Sequence, residues 1–129
     1  MSKTVLIVED NPANLKLATL VLEDAGYRVL AAATANDAIT IARTEMPQLI
    51  LMDIQLPGMS GLDATRHLKA EPQTAGIPVI ALTAFAMKGD EERILQAGCD
   101  GYIAKPFSYK DLLTQVAAIL GNSREVTQP

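Results

Sequence analysis

Short apolar runs alternate with amphipathic stretches along the whole chain. Residues 5–8, 49–52 and 79–82 are continuously apolar, as strands covered on both faces of a parallel sheet are. Residues 28–31 and 101–103 are shorter strand-like runs. Between them, Leu15, Ala18, Val21, Leu22 and Ala25 recur at helical spacing. Asn11 can cap that helix, Pro12 occupies its favoured first position, and Gly26 stops it. Residues 36–44 predict a second helix with Ala38, Ile41 and Ala42 inward, closed by Pro47. The turn-rich loop 56–61 leads into a helix over about 62–69. Strand 77–82, helix 87–97, strand 101–103 and helix 109–120 follow. The last helix carries the stripe Leu112, Leu113, Val116, Ile119 and Leu120. This succession of βα units, with short connections and right-handed crossovers, implies an α/β fold, a doubly wound parallel sheet with helices on both faces. Helix 87–97 has the weakest apolar stripe, little beyond Met87, Ile94 and Leu95, which makes it a candidate moving part.

The bulk numbers narrow the class. The 129 residues suit one domain, taken as 1–121 with a flexible polar tail at 122–129. The hydrophobic share of 49% is enough for a buried core, not a disordered chain. A net charge of −4 with 11 scattered basic residues argues against nucleic-acid binding, which needs clustered Lys and Arg. No apolar stretch approaches the roughly 20 residues of a membrane helix, and no signal-peptide pattern opens the chain. A single cysteine, Cys99, fits a reducing cytoplasm. A soluble cytoplasmic protein is expected.

The chemistry lies at the strand ends. The first strand stops at Glu9-Asp10, the third at Asp53, the fourth at Thr83 and the fifth at Lys105. In an open α/β sheet, ligands bind in the crevice beyond the carboxyl ends of the strands. Clustered carboxylates repel and persist ionised when a cation neutralises them, and hard oxygen donors suit Mg²⁺ better than zinc. Lys105 offers a compact charge and Thr83 a hydroxyl for phosphoryl oxygens. An Asp held between a metal and a Lys suits an acyl-phosphate nucleophile. Taken singly, Glu9 or Asp10 would be a turn or capping acid, and Thr83 or Lys105 a solvated surface residue; their convergence reverses that.

Glu9-Asp10, Asp53, Thr83-Ala84 and Lys105-Pro106 resemble the full motif set of the response-regulator receiver (CheY-like) family, in order, across residues 3–120. Within it, LIVEDNPANLKL, LILMDIQLPGMSGL and TAFAMKGDEERI are most similar to the single-domain DivK-type cell-cycle regulators. The resemblance implies a flavodoxin-like sheet of order 2-1-3-4-5 with five helices. It implies that Asp53 accepts a phosphoryl group from a histidine kinase or histidine phosphotransfer protein. It further implies Mg²⁺ held by Asp10, Asp53 and the Gln55 backbone carbonyl, with Glu9 reaching it through water, and Thr83 and Lys105 on the phosphoryl oxygens. Tyr102 takes the switch-aromatic position, Gln55 and Phe85 tune loss of the phosphate, and the Lys105–Pro106 peptide is expected to be cis. Downstream protein targets would dock on the face of residues 87–97 and 101–120, and recruitment to a cell pole is worth testing.

The family thus implies a phosphorylation-dependent binding switch and not an enzyme. A receiver module of a hybrid histidine kinase is the alternative, though Met1 and the polar tail favour a stand-alone protein. An aspartyl-phosphate phosphatase is less favoured: it would place a second acid two residues after Asp53, where Gln55 stands. A flavin or nucleotide binder would want a glycine-rich loop after the first strand. His67 is expected to be exposed, Cys99 a packed residue without a redox role, and 90–93 a solvated charge run with local ion pairs.

Overall fold

The computed structural model describes residues 3–84, 88–105 and 107–120. Its elements are β1 (Thr4–Val8), α1 (Pro12–Asp24), β2 (Arg28–Ala32), α2 (Ala35–Glu45), β3 (Leu49–Asp53), α3 (Gly61–Ala70), β4 (Val79–Thr83), α4 (Lys88–Gln96), β5 (Gly101–Ala104) and α5 (Tyr109–Leu120). All neighbouring strands pair in parallel, in the order β2-β1-β3-β4-β5. The expected doubly wound fold is therefore what the chain adopts.

Every residue of β1, β3 and β4 is buried, because helices cover both faces of the central strands. Alternate side chains divide between two cores. Leu6, Val8, Ile50, Met52, Val79 and Ala81 point to the side of α2, α3 and α4. Val5, Ile7, Leu49, Leu51, Ile80 and Leu82 point to the side of α1 and α5. In α2 the buried residues are Ala35, Ala38, Ile39 and Ala42, the i, i+3, i+4, i+7 stripe of one helix face, while Ile41 is partly buried and packs against the same core.

The caps explain where the helices begin. Asn11 Oδ1 accepts from the amides of Ala13 and Asn14, Thr34 from Asp37, Ser60 from Asp63 and Ser108 from Asp111, each satisfying an otherwise orphaned helix donor. α1 ends at Ala25 followed by Gly26 at φ +99°, the left-handed region where glycine pays no steric cost. α2 ends instead on Met46 at φ +48°, a position that costs a side-chain-bearing residue energy.

Lys69 staples the far end of the sheet. Its Nζ donates to the carbonyls of Ala75 (3.2 Å) and Ile77 (2.7 Å) and meets Asp100 Oδ2 at 3.2 Å. That same Asp100 oxygen accepts from the Val79 amide at 2.8 Å. One ammonium thus joins the end of α3, the approach to β4 and the turn before β5. α4 is the lightly held helix, with Ile94 buried and Leu95 55% exposed. Met87, expected at its start, lies outside the described residues.

Candidate functional site

Register brings the candidate residues to one edge. Val8 pairs with Met52, Asp53 with Leu82 and Thr83 with Ala104, so Glu9, Asp53, Thr83 and Lys105 leave neighbouring strands at the same level. Backbone bonds hold that edge: the amide of Glu9 donates to Ala32 O (2.9 Å), Ile54 to Leu82 O (3.2 Å) and Lys105 to Thr83 O (2.7 Å).

Glu9, Asp10 and Asp53 each offer a carboxylate oxygen within 4.8 Å of the others. Asp53 and Glu9 are buried and Asp10 is exposed, which gives the cluster an open side. Lys105 Nζ lies 3.2 Å from Asp53 Oδ2 and 3.3 Å from Glu9 Oε1. The other Asp53 oxygen accepts the Gln55 amide at 2.9 Å, so the carboxylate is fixed by a donor on each side. Glu9 accepts the Asn11 amide at 3.2 Å. Burial raises the Glu9 carboxyl above the usual carboxylate range, and the neighbouring Asp53 raises it further; the Asn11 amide and Lys105 pull the other way. The buried Thr83 completes the group.

This donor set fits a small hard cation. Ligands of one Mg²⁺, each about 2.0–2.1 Å from the ion, stand roughly 3–4 Å apart, so carboxylates spanning 4.8 Å close on such an ion with small side-chain movements. The exposed Asp10 leaves room for water or a phosphoryl group. The cluster is thus able to bind a metal.

The comparisons with known proteins agree with this geometry. Residues 5–117 match the response regulator receiver domain model. The chain belongs to this family. The receiver is 49% identical over 123 residues to the polar-differentiation response regulator DivK of Brucella abortus, covering 95% of this chain and 100% of that protein. It is 39% identical to the receiver domain of the sensor histidine kinase PA1611 from Pseudomonas aeruginosa, a structure with a magnesium ion coordinated in its active-site cleft. That match has a TM-score of 0.86 and covers 94% of this chain and 99% of the other. The chemotaxis response regulator CheY4 of Vibrio cholerae superimposes with a TM-score of 0.88 at 26% identity, over 93% and 100% of the two chains. The receiver is a response-regulator signalling switch that resembles DivK more than the kinase-borne receiver, so the hybrid-kinase alternative is the less favoured.

Tyr102 of the receiver is half-buried against the α2–α4 core, and its hydroxyl donates to Glu91 Oε1 on α4. That bond, with burial and the charge of Glu91 behind it, raises the phenol above its ordinary value. Gln55 is exposed. Phe85 and Pro106, expected to tune the site and to form a cis peptide, lie outside the described residues. Cys99 is buried with its thiol pushed up by burial, and His67 is exposed beside Arg43 and Glu71. Arg93 pairs with Asp90 at 3.3 Å, the local ion pair expected of the charge run.

Two contributors went unread in the sequence. Glu91 stood in that charge run, with nothing to mark it as the partner of Tyr102. Gly61 stood among turn formers, although it packs directly against the backbone of Asp53. The Ser60-Gly61 step at a helix start was the available signal.

Proposed function

We propose that the receiver accepts a phosphoryl group on Asp53 from a histidine kinase or histidine phosphotransfer protein and thereby switches its binding to other proteins. One observation carries this reading: the buried Asp53 carboxylate is held between the Lys105 ammonium and the Gln55 amide, beside two further acids. An Asp53 oxygen attacks phosphorus in line with the phosphohistidine bond. A P–O bond forms as the P–N bond breaks, and the departing imidazole nitrogen keeps the electron pair and takes a proton from water. Lys105 and Thr83 bind the phosphoryl oxygens, so positioning and charge neutralisation carry the transfer. Asp10, Asp53 and the Gln55 carbonyl would hold Mg²⁺, with Glu9 reaching it through water. Bound there, the ion would offset carboxylate and phosphoryl charge.

An open groove of about 690 Å³ adjoins Lys105 and runs between α1 and the start of α5, past Leu17, Ala18, Phe107 and Tyr109. Leu17 and Leu20 are 45% and 54% exposed. This apolar approach to the acceptor suits an amphipathic helix of the phosphodonor. The added charge acts on Thr83 and Tyr102, and the α4–β5–α5 face passes the change to partners. Gln55 and Phe85 set how long the phosphate survives. The 49% identity to DivK supports a cytoplasmic, DivK-like role in cell-cycle signalling, with the module acting through its partners and not as a free-standing enzyme.

The reading is tested by incubating the protein with Mg²⁺ and acetyl phosphate and following its mass. One phosphoryl group is expected, absent in Asp53→Asn and without Mg²⁺. A gain that survives Asp53→Asn overturns the assignment of the acceptor.

A further inference from the structure

Gly61 opens α3 from within the wall of the site. A Cβ built on it would lie 2.3 Å from the carbonyl oxygen of Asp53, 2.7 Å from Ile54 Cα and 2.9 Å from the carbonyl carbon of Asp53. All three are backbone atoms, so no side chain can turn aside to make room. The contact is also bonded: the Gly61 amide donates to Ile54 O at 3.2 Å, and Gly61 O accepts the buried Thr65 hydroxyl at 2.8 Å. The peptide it presses on leads straight into Gln55, whose amide holds Asp53 Oδ1.

We infer that Gly61 is a positioning residue for phosphorylation: its missing side chain lets α3 seat against the Asp53–Ile54 peptide, and this fixes the turn that aims the Asp53 carboxylate. The inference rests on Asp53 being the phosphoacceptor. Any side chain at 61 pushes the β3–α3 turn outward, carries the Gln55 amide with it and leaves the carboxylate swinging about Lys105. Displacements of this kind cost far more in rate than in stability, because transfer needs near-attack geometry.

Gly98 supplies the control. It has φ +105°, a Cβ there would meet Lys69 Cγ at 2.9 Å, and it lies in the turn before β5, at the opposite end of the sheet from Asp53. Gly61→Ala and Gly98→Ala are compared with the parent for melting temperature, Mg²⁺ affinity by amide-shift titration, and phosphorylation rate with acetyl phosphate. Gly61→Ala is expected to lose at least tenfold in rate and severalfold in Mg²⁺ affinity. Gly98→Ala should stay within twofold of the parent on both, even with a comparable fall in melting temperature. A Gly61→Ala protein within twofold of the parent, or a Gly98→Ala protein that loses as much, overturns the inference. Should Gly61→Ala not fold, Thr65→Val replaces it, freeing the Gly61 carbonyl; a rate at least threefold lower is expected, and a parental rate overturns the claim. A parent that takes no phosphate, or takes it in Asp53→Asn, would instead overturn the reading of Asp53.

Discussion

The Tyr102 hydroxyl of β5 donates to the Glu91 carboxylate of α4, tying the lightly packed helix to the strand that leads into Lys105. Glu91→Gln keeps an acceptor but removes the charge that holds the phenol's proton. The Tyr102 phenol should therefore titrate closer to its ordinary value, read as a lower midpoint pH when its ring resonances are followed in an NMR pH titration. Amide exchange in α4 should quicken together with it, because among the described residues of that helix Ile94 alone is buried.

Lys105 is the counter-charge of two buried acids. Lys105→Met leaves Glu9 and Asp53 facing each other without it, and should destabilise the protein by about 1–3 kcal/mol in chelator at pH 7. That is below the ~3–5 kcal/mol of a fully buried broken pair, because the ammonium is 23% exposed. Urea unfolding measures the deficit. Added Mg²⁺ should shrink it, because carboxylates no longer neutralised by the ammonium bind the cation more tightly and the folded variant is stabilised more than the parent.

Glu9 gives a pH signature. Its folded pKa is raised, so the stability tied to its neutral form is present below the ordinary glutamate range and is lost as pH rises through the folded value. Glu9→Gln, which stays neutral, should melt higher than the parent at pH 7 in chelator. The advantage should disappear as the solution is brought below about pH 4, where the unfolded glutamate is protonated too. Thermal melts across pH 3–8 would read the convergence.

Leu17 lines the groove beside Lys105 and is 45% exposed. Leu17→Glu should leave phosphorylation by acetyl phosphate within twofold of the parent while lowering transfer from a protein phosphodonor tenfold or more. Parallel assays with the small-molecule and protein donors separate docking from chemistry.

Met46 ends α2 at φ +48°. Met46→Gly should stabilise the protein by about 0.5–1 kcal/mol, since glycine takes the left-handed conformation without a Cβ clash. A melting temperature a few degrees higher, with unchanged phosphorylation, is the expected result.

The fold was legible because helix-covered strands must be apolar throughout, and Val5–Val8, Leu49–Met52 and Val79–Leu82 carry that mark. The site was legible because four of the five strands end on or just before a residue able to handle metal or phosphate. What escaped depended on approach in three dimensions. Lys69 appeared as one more charge beside Arg66 and His67, yet it gathers Ala75, Ile77 and Asp100, the last lying 31 residues along the chain. Ile39 and Ile41 are equally apolar, and it is the seating of α2 on the sheet that buries Ile39 with Ala35, Ala38 and Ala42 and leaves Ile41 at the margin of the core. Gly61 resembled its neighbour Gly58 as a turn former, but Gly58 has open space where a Cβ would stand and Gly61 has the backbone of Asp53.

The Lys105 amide donates to the Thr83 carbonyl at 2.7 Å, so the two residues proposed to bind the phosphoryl oxygens share a single backbone clasp. A small anion drawing on both would haul one stiff unit, like the jaws of a pair of tongs closing on a common pivot. Under such traction β4 and β5 would travel as a linked pair of rails, and Tyr102, two residues before the end of β5 at Ala104, would ride on one of them. The message would leave as a shift of scaffold, audible to any protein resting on that flank.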